Sequence, residues 1–429
     1  MLRQAVTRWP AVAALGFALG FGGCSSSESP AVAVQATITA FEGARVIVGD
    51  GTPPIENATI VVDRGRIVGV GPATSVAVID GAKHVSLTGK TVMPALIDTH
   101  THLSQTREAL SRDLTRRAYY GVAAALSLGQ DNADAPFQVR AEPIPGAALL
   151  RTAGRGITMP EPGRTEAPYW ITTEAEGRNS VRALAAKKVD LVKIWVDDRS
   201  RQYPKMPPEI YTAIIDEAHK AGLRVTAHIF NLADAKGLLR AGIDAFAHGI
   251  RDTAVDDEVM QLFAAEPEFV LVPNLPERGV AVDMGWLSSS LPADDLKRIQ
   301  EAAVEKPEAR KAFEIQARNL AALAAAGVTI ALGTDGNTPW APHAEMADMV
   351  AAGLTPAQVI VAATKNAAGF LRLADLGTIA SGKRADFLVL DANPLDDITN
   401  TRRINAVYLE GVALDRRSSP MMPGAAPAP

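Results

Sequence analysis

Apolar runs of five to eight residues recur eight times between Val92 and Gly333. They stand at Val92–Asp98, Gly121–Leu128, Ala147–Ala153, Asp190–Val196, Arg224–Ile229, Asp244–His248, Glu268–Pro273 and Thr329–Gly333. Amphipathic stretches such as Pro208–Ala221 and Leu232–Ala241 follow several of them. Strands that alternate with helices run parallel, because each helix returns the chain to the starting end of the sheet. Eight such units predict an α/β fold, a (β/α)8 TIM-like barrel over residues 93–377. A chain of 429 residues has room for that barrel and an addition.

The addition is predicted from both chain ends. Short β-branched runs broken by Gly and Pro fill residues 37–92, among them Ala44–Val48, Thr59–Val62 and Arg66–Val70. The same texture returns at Ala385–Leu390 and Ala406–Gly411. These runs read as antiparallel strands, so 37–92 together with 378–418 are expected to form a small β-sandwich. The Pro- and Ala-rich residues 419–429 read as a disordered tail.

At the other extreme, Arg3 and Arg8 precede the apolar run Trp9–Phe21, which leads into Gly22-Gly23-Cys24-Ser25. A basic start, a short apolar stretch and small residues after it predict an export signal over 1–24, followed by a tether over 25–36. The run is short for a transmembrane helix. Gly22-Gly23-Cys24 resembles a bacterial lipobox, in which the cysteine becomes the lipid-modified N-terminus; cleavage after Ala31-Val32-Ala33 is the alternative. The expectation is an exported protein held by a lipid on Cys24 in the bacterial cell envelope, on the periplasmic or outer-membrane side. That lipid would be its one membrane contact.

Cys24 is also the only cysteine, which excludes a disulfide framework and any multi-cysteine metal site. A metal would have to be held by His, Asp, Glu or a modified Lys. A net charge of −5 without a Lys/Arg block argues against nucleic acid as a partner. A small-molecule substrate is the expected partner, and a homo-oligomer is left open.

Chemistry-bearing residues gather at the predicted strand ends. His100 and His102 follow the first run, and their spacing of two places both imidazoles on one side of an extended chain. His228 and His248 end the fifth and sixth runs, and Asp335 follows the eighth. Four of the seven histidines thus fall at C-terminal strand ends, the rim on which barrels build active sites. Lys193 lies inside Val189–Val196, a run that reads as a buried strand. An ammonium there is costly unless it is paired or chemically changed. Reaction with CO2 would turn it into an anionic carbamate able to bridge two cations.

The ordered set Asp98-Thr99-His100-Thr101-His102, Val192-Lys193-Ile194, Ala227-His228, Ala247-His248-Gly249 and Gly333-Thr334-Asp335 resembles the amidohydrolase superfamily. The stretch Gly377–Asp386 resembles that family's return into its β-sandwich. The similarity is to the binuclear branch with a carboxylated lysine, on the side of prolidase-like and imidazolonepropionase-related hydrolases. It implies two divalent metal ions, for which zinc suits the histidines and Mn, Co or Fe would also serve. His100 and His102 would hold the first, His228 and His248 the second, and the Lys193 carbamate would bridge them. Asp335 would bind the first ion and take the proton of a metal-bridging hydroxide, then pass it to the leaving amine. The implied activity is hydrolysis of a C–N bond, amide or peptide, by a dipeptidase or N-acyl amino acid hydrolase.

Weaker candidates are Tyr203 and Arg164, in loops where a substrate carbonyl or carboxylate could be met, and His343 with Glu345 after the last strand. Two other readings compete. A mononuclear deaminase or cyclic-amide hydrolase would use His100, His102, His228 and Asp335 around one ion and would not need Lys193. A non-catalytic envelope lipoprotein could keep the barrel as a scaffold, though a scaffold has no need of six ionisable groups on one rim.

Overall fold

The structure is a computed structural model that describes residues 38–417. The predicted signal, Cys24, the tether and the tail at 419–429 lie outside the described residues. Eight buried parallel strands fall within or overlap the eight apolar runs: β1 (Leu96–Thr101), β2 (Val122–Ser127), β3 (Leu149–Thr152), β4 (Val192–Trp195), β5 (Val225–His228), β6 (Ala245–Ala247), β7 (Val270–Val272) and β8 (Thr329–Ile330). β1, β2 and β3 pair parallel, with two register shifts between β1 and β2, and β4 through β8 pair parallel in turn.

Two seams close the ring. Asp190 N donates to the Thr152 carbonyl at 2.9 Å between β3 and β4. Thr99 N donates to Leu332 O at 2.9 Å, and Thr334 N to His100 O at 3.1 Å, between β1 and the exit of β8. The result is the expected TIM-like barrel. Its helices include Pro208–Lys220 and Leu232–Arg240, each within a residue of the amphipathic stretch that predicted it.

Core packing follows the strand periodicity. Phe246 of β6 points outward and meets Phe269 and Phe263 edge to face, with centroids 4.9 and 6.1 Å away. Each ring removed from water contributes roughly 1.5–3 kcal/mol. A buried ion pair ties β1 to the helix that follows it (Arg107–Tyr119): Arg117 donates to Asp98 Oδ2 at 2.8 Å, and Asp98 also accepts from the Thr334 hydroxyl at 2.7 Å.

Two expectations need correcting. The run Val92–Asp98 is not one strand. Thr91–Pro94 pairs with Phe387–Leu390 in the sheet built by the chain ends, and a break at Ala95 starts β1 in the barrel. The end sheet is also not wholly antiparallel. Ile38–Val46 pairs antiparallel with Ile55–Asp63, but parallel with Lys83–Ser86 and with Thr91–Pro94. After the meander closes at Pro72 the chain crosses back and enters from the other edge, so it meets the first strand running the same way. Strands from both ends share this eight-stranded sheet, whose apolar side is filled by Phe41, Ile60, Val92, Phe387 and their neighbours.

Candidate metal centre

The C-terminal strand ends set out the site. His100 sits near the end of β1, His228 ends β5, His248 follows β6, and Asp335 lies beyond β8. Asp335 is the hub. Its Oδ1 lies 3.1 Å from His100 Nε2 and 2.9 Å from His102 Nε2, and its Oδ2 lies 3.5 Å from His248 Nε2. Ligand atoms of His100, His248 and Asp335 all lie within 4.8 Å of one another. The His228 ring stacks edge-on against His248 at 4.5 Å, continuing the cluster across the barrel mouth.

Burial sets the protonation of these groups. It lowers His100 to about 4, against the pull of the Asp335 charge, and takes His228 and His248 well below the ordinary imidazole value. All three are neutral at pH 7, the state in which imidazole binds a metal. Burial alone would raise Asp335, yet the ring of His100, followed by those of His102 and His248, pulls the carboxyl below its usual range.

Lys193 projects into the barrel from β4. Its Nζ is completely buried and has no hydrogen-bond partner among the described residues. The Thr226 hydroxyl, on the residue paired with Lys193 across β4 and β5, is likewise buried and unpartnered. Desolvation lowers Lys193 to about 7, although Asp335 pulls the other way. Room for this side chain comes from Gly129, with φ +93°, where a Cβ would come within 2.8 Å of Lys193 Cγ. Neutral imidazoles and a carboxylate, with a buried amine at hand, form a donor set that fits divalent cations.

Four partners were not legible as site residues in the sequence. Asn274, just past β7, accepts the Nδ1 proton of His100 at 2.8 Å and so fixes Nε2 toward Asp335. Glu161, Asp197 and Arg199 form a second group: Arg199 bonds Glu161 at 3.0 Å and Asp197 at 2.9 Å, and donates to His228 Nε2 at 3.0 Å. Asn274, His248 and Asp335 all carry positive φ, at +41°, +78° and +53°. Such backbone in non-glycine residues concentrates at functional sites.

The weaker candidates are each held by other partners, and Arg164 alone reaches the cluster, through Glu161. His343 is buried, with its ring nitrogens engaged by Thr401 Oγ1 at 3.0 Å and the Tyr120 carbonyl at 2.9 Å, so it pins its helix and leaves no ring nitrogen free for a substrate. Glu345 is buried and accepts from Leu275 N at 3.0 Å, and burial raises its carboxyl well above the usual value. The Tyr203 hydroxyl donates to the Pro162 carbonyl at 3.1 Å. Arg164 pairs with Glu161 at 2.6 Å.

A closed parallel barrel with a neutral histidine and carboxylate cluster on its C-terminal rim defines a hydrolase of the metal-dependent barrel class. Residues 91–414 match the Amidohydrolase family, and the chain belongs to it. It is similar to the imidazolonepropionase of Paracoccus denitrificans (strain Pd 1222), 29% identical over 390 residues, covering 82% of this chain and 92% of that one. It is also similar to the ochratoxinase of Aspergillus niger, 26% identical over 432 residues, with 85% and 83% covered. Among solved structures, phenylurea hydrolase B shares the fold with a TM-score of 0.74 at 23% identity, covering 91% of this chain and all of that one. The protein is therefore an enzyme that hydrolyses carbon–nitrogen bonds, in a family that uses divalent metal ions.

Proposed function

We propose that this protein cleaves the amide or peptide bond of a dipeptide or an N-acyl amino acid, with two divalent cations, zinc for preference, held by His100, His102, His228, His248, Asp335 and a carboxylated Lys193. The observation that carries this reading is the Lys193 amine, fully buried with no hydrogen-bond partner among the described residues. With its pKa lowered to about 7, much of it is unprotonated at neutral pH, and the free amine is the form that adds CO2. The addition forms an N–C bond and releases one proton, replacing a buried neutral amine with an anion. The Thr226 hydroxyl is at hand as a donor to that anion.

The cations would supply Lewis acidity toward the scissile carbonyl and a lowered pKa for water. This chain's residues do the rest. Asp335 takes the proton of the attacking water and returns it to the departing nitrogen, a carboxylate shuttle held in place by its backbone bond to His100 and by the His102 ring. Asn274 keeps the His100 tautomer fixed through the cycle. Export and lipid anchoring through Cys24 belong to this proposal on the strength of the N-terminal sequence.

The test is metal content per chain of the purified protein beside Lys193→Ala, with hydrolysis of a panel of dipeptides and N-acyl amino acids. About two ions falling to one or none, with activity lost, is the expected result. One ion unaffected by the substitution would favour the mononuclear reading.

A further inference from the structure

Two arginines flank the metal centre, and they are in different states. Arg199 is committed, with Glu161, Asp197 and His228 around it. Arg251 is not. It lies three residues after His248, half-buried on the same rim; the charges of Asp197 and Asp335 reach it, but its side chain forms no direct ion pair or hydrogen bond with any described residue. Its backbone N–H donates to the Phe230 carbonyl at 2.9 Å, clipping the loop after β6 to the loop after β5. The guanidinium carbon lies over the Phe230 ring, 3.2 Å from the centroid. The same ring meets His228 at 4.4 Å and His248 at 5.2 Å. An uncommitted planar cation is thus fixed one aromatic ring away from the two histidines proposed to hold the second ion.

A guanidinium stacked on an aromatic face keeps its edge N–H groups free, and that edge matches a carboxylate in bidentate geometry. Burial of the guanidinium, offset only in part by the charges of Asp197 and Asp335, leaves an electrostatic deficit that a ligand anion relieves. We propose that Arg251 binds the carboxylate of the substrate and so restricts the enzyme to amides whose amine half is an amino acid. This rests on the amide-hydrolysis reading above and adds to it the residue that recognises the anionic end. Phe230 acts as the platform that orients the guanidinium.

The test pairs each N-acetyl-L-amino acid of a panel with the same amide lacking the carboxylate, for example N-acetyl-L-leucine with N-isopentylacetamide. Wild type, Arg251→Met and Arg251→Lys are compared after metal loading, with melting temperature as the check on folding. Arg251→Met is expected to lower kcat/KM for the carboxylate member by about ten- to a hundredfold, mainly through KM, leaving the neutral member within about threefold of wild type. Arg251→Lys, which keeps the charge without the planar fork, should fall between. Equal loss on both members, or no preference for the carboxylate in wild type, would overturn the proposal while amide hydrolysis stands. Absence of any turnover would instead overturn the amide-hydrolysis reading. Calorimetric binding of L-leucine against isopentylamine then decides for Arg251: weaker leucine binding in Arg251→Met supports the role, and unchanged binding refutes it.

Discussion

The carbonyl of His100 accepts a hydrogen bond from the backbone N–H of Asp335 at 2.7 Å, and the side chains of the same two residues meet at 3.1 Å. One backbone bond across the closing seam of the barrel therefore sets both the register of the ring and the geometry of its acid–base group. Barrel closure and site assembly are the same event here. Because the main chain does the positioning, the carboxylate can be altered without dismantling its support.

This gives the first prediction. Asp335→Asn keeps the volume and suits the φ of +53°, a conformation that asparagine tolerates well. It removes the proton acceptor. The variant should fold, with a melting temperature near that of wild type, and lose about 10²–10⁴ in kcat toward whichever panel member wild type hydrolyses best. A loss confined to KM would show that Asp335 serves binding and not proton transfer.

Asn274 allows a sharper separation of backbone from side chain. Its φ of +41° costs glycine nothing, so Asn274→Gly should preserve the loop while removing the acceptor from His100 Nδ1. Metal affinity, measured by competition with a chromophoric chelator, is expected to fall about 10–100-fold. Unchanged affinity would mean that the His100 tautomer is fixed by something other than this bond.

Lys193 predicts a pH dependence of stability in the metal-free, CO2-free protein. Burial takes it from an ordinary 10.5 to about 7 in the folded state. Between those values the unfolded chain binds a proton that the folded chain does not, so stability rises with pH across the window. The gain is complete above about pH 10.5 and is lost as pH falls toward 7, an effect of order 5 kcal/mol for the fully buried amine. Lys193→Met should flatten this segment of the profile in urea titrations. Parallel profiles for the two proteins would contradict it.

The barrel strands and the six polar groups were legible because each is a local pattern: an apolar run, and a histidine, lysine or aspartate at a fixed place on it. The partners were not. Asn274 and His100 lie far apart in sequence and meet only because β7 and β1 end on the same rim. His343 looks like a rim residue by position, yet Thr401 from the returning C-terminal segment takes one ring nitrogen and the Tyr120 carbonyl the other. The break at Ala95 was invisible because Val92–Asp98 is uniformly buried, half in the end sheet and half in the barrel, so no change of hydropathy marks the passage.

Asp98 and Arg117 supply a last prediction, about what holds the seam. Both are fully buried, and Arg117 also donates to the Gly336 carbonyl at 2.9 Å, one residue past Asp335. Removing one partner strands the other charge in the core. Arg117→Met should therefore destabilise the protein by about 3–5 kcal/mol in urea unfolding. Replacing both, as Asp98→Leu with Arg117→Met, should recover much of that loss, since an apolar pair of similar volume carries no desolvation penalty. The Thr334 hydroxyl and amide would still lose their acceptor on Asp98, so metal affinity in the double variant should stay below wild type even where stability returns. If stability and metal affinity recovered together, the pair would be a plain structural tie with no part in placing Asp335.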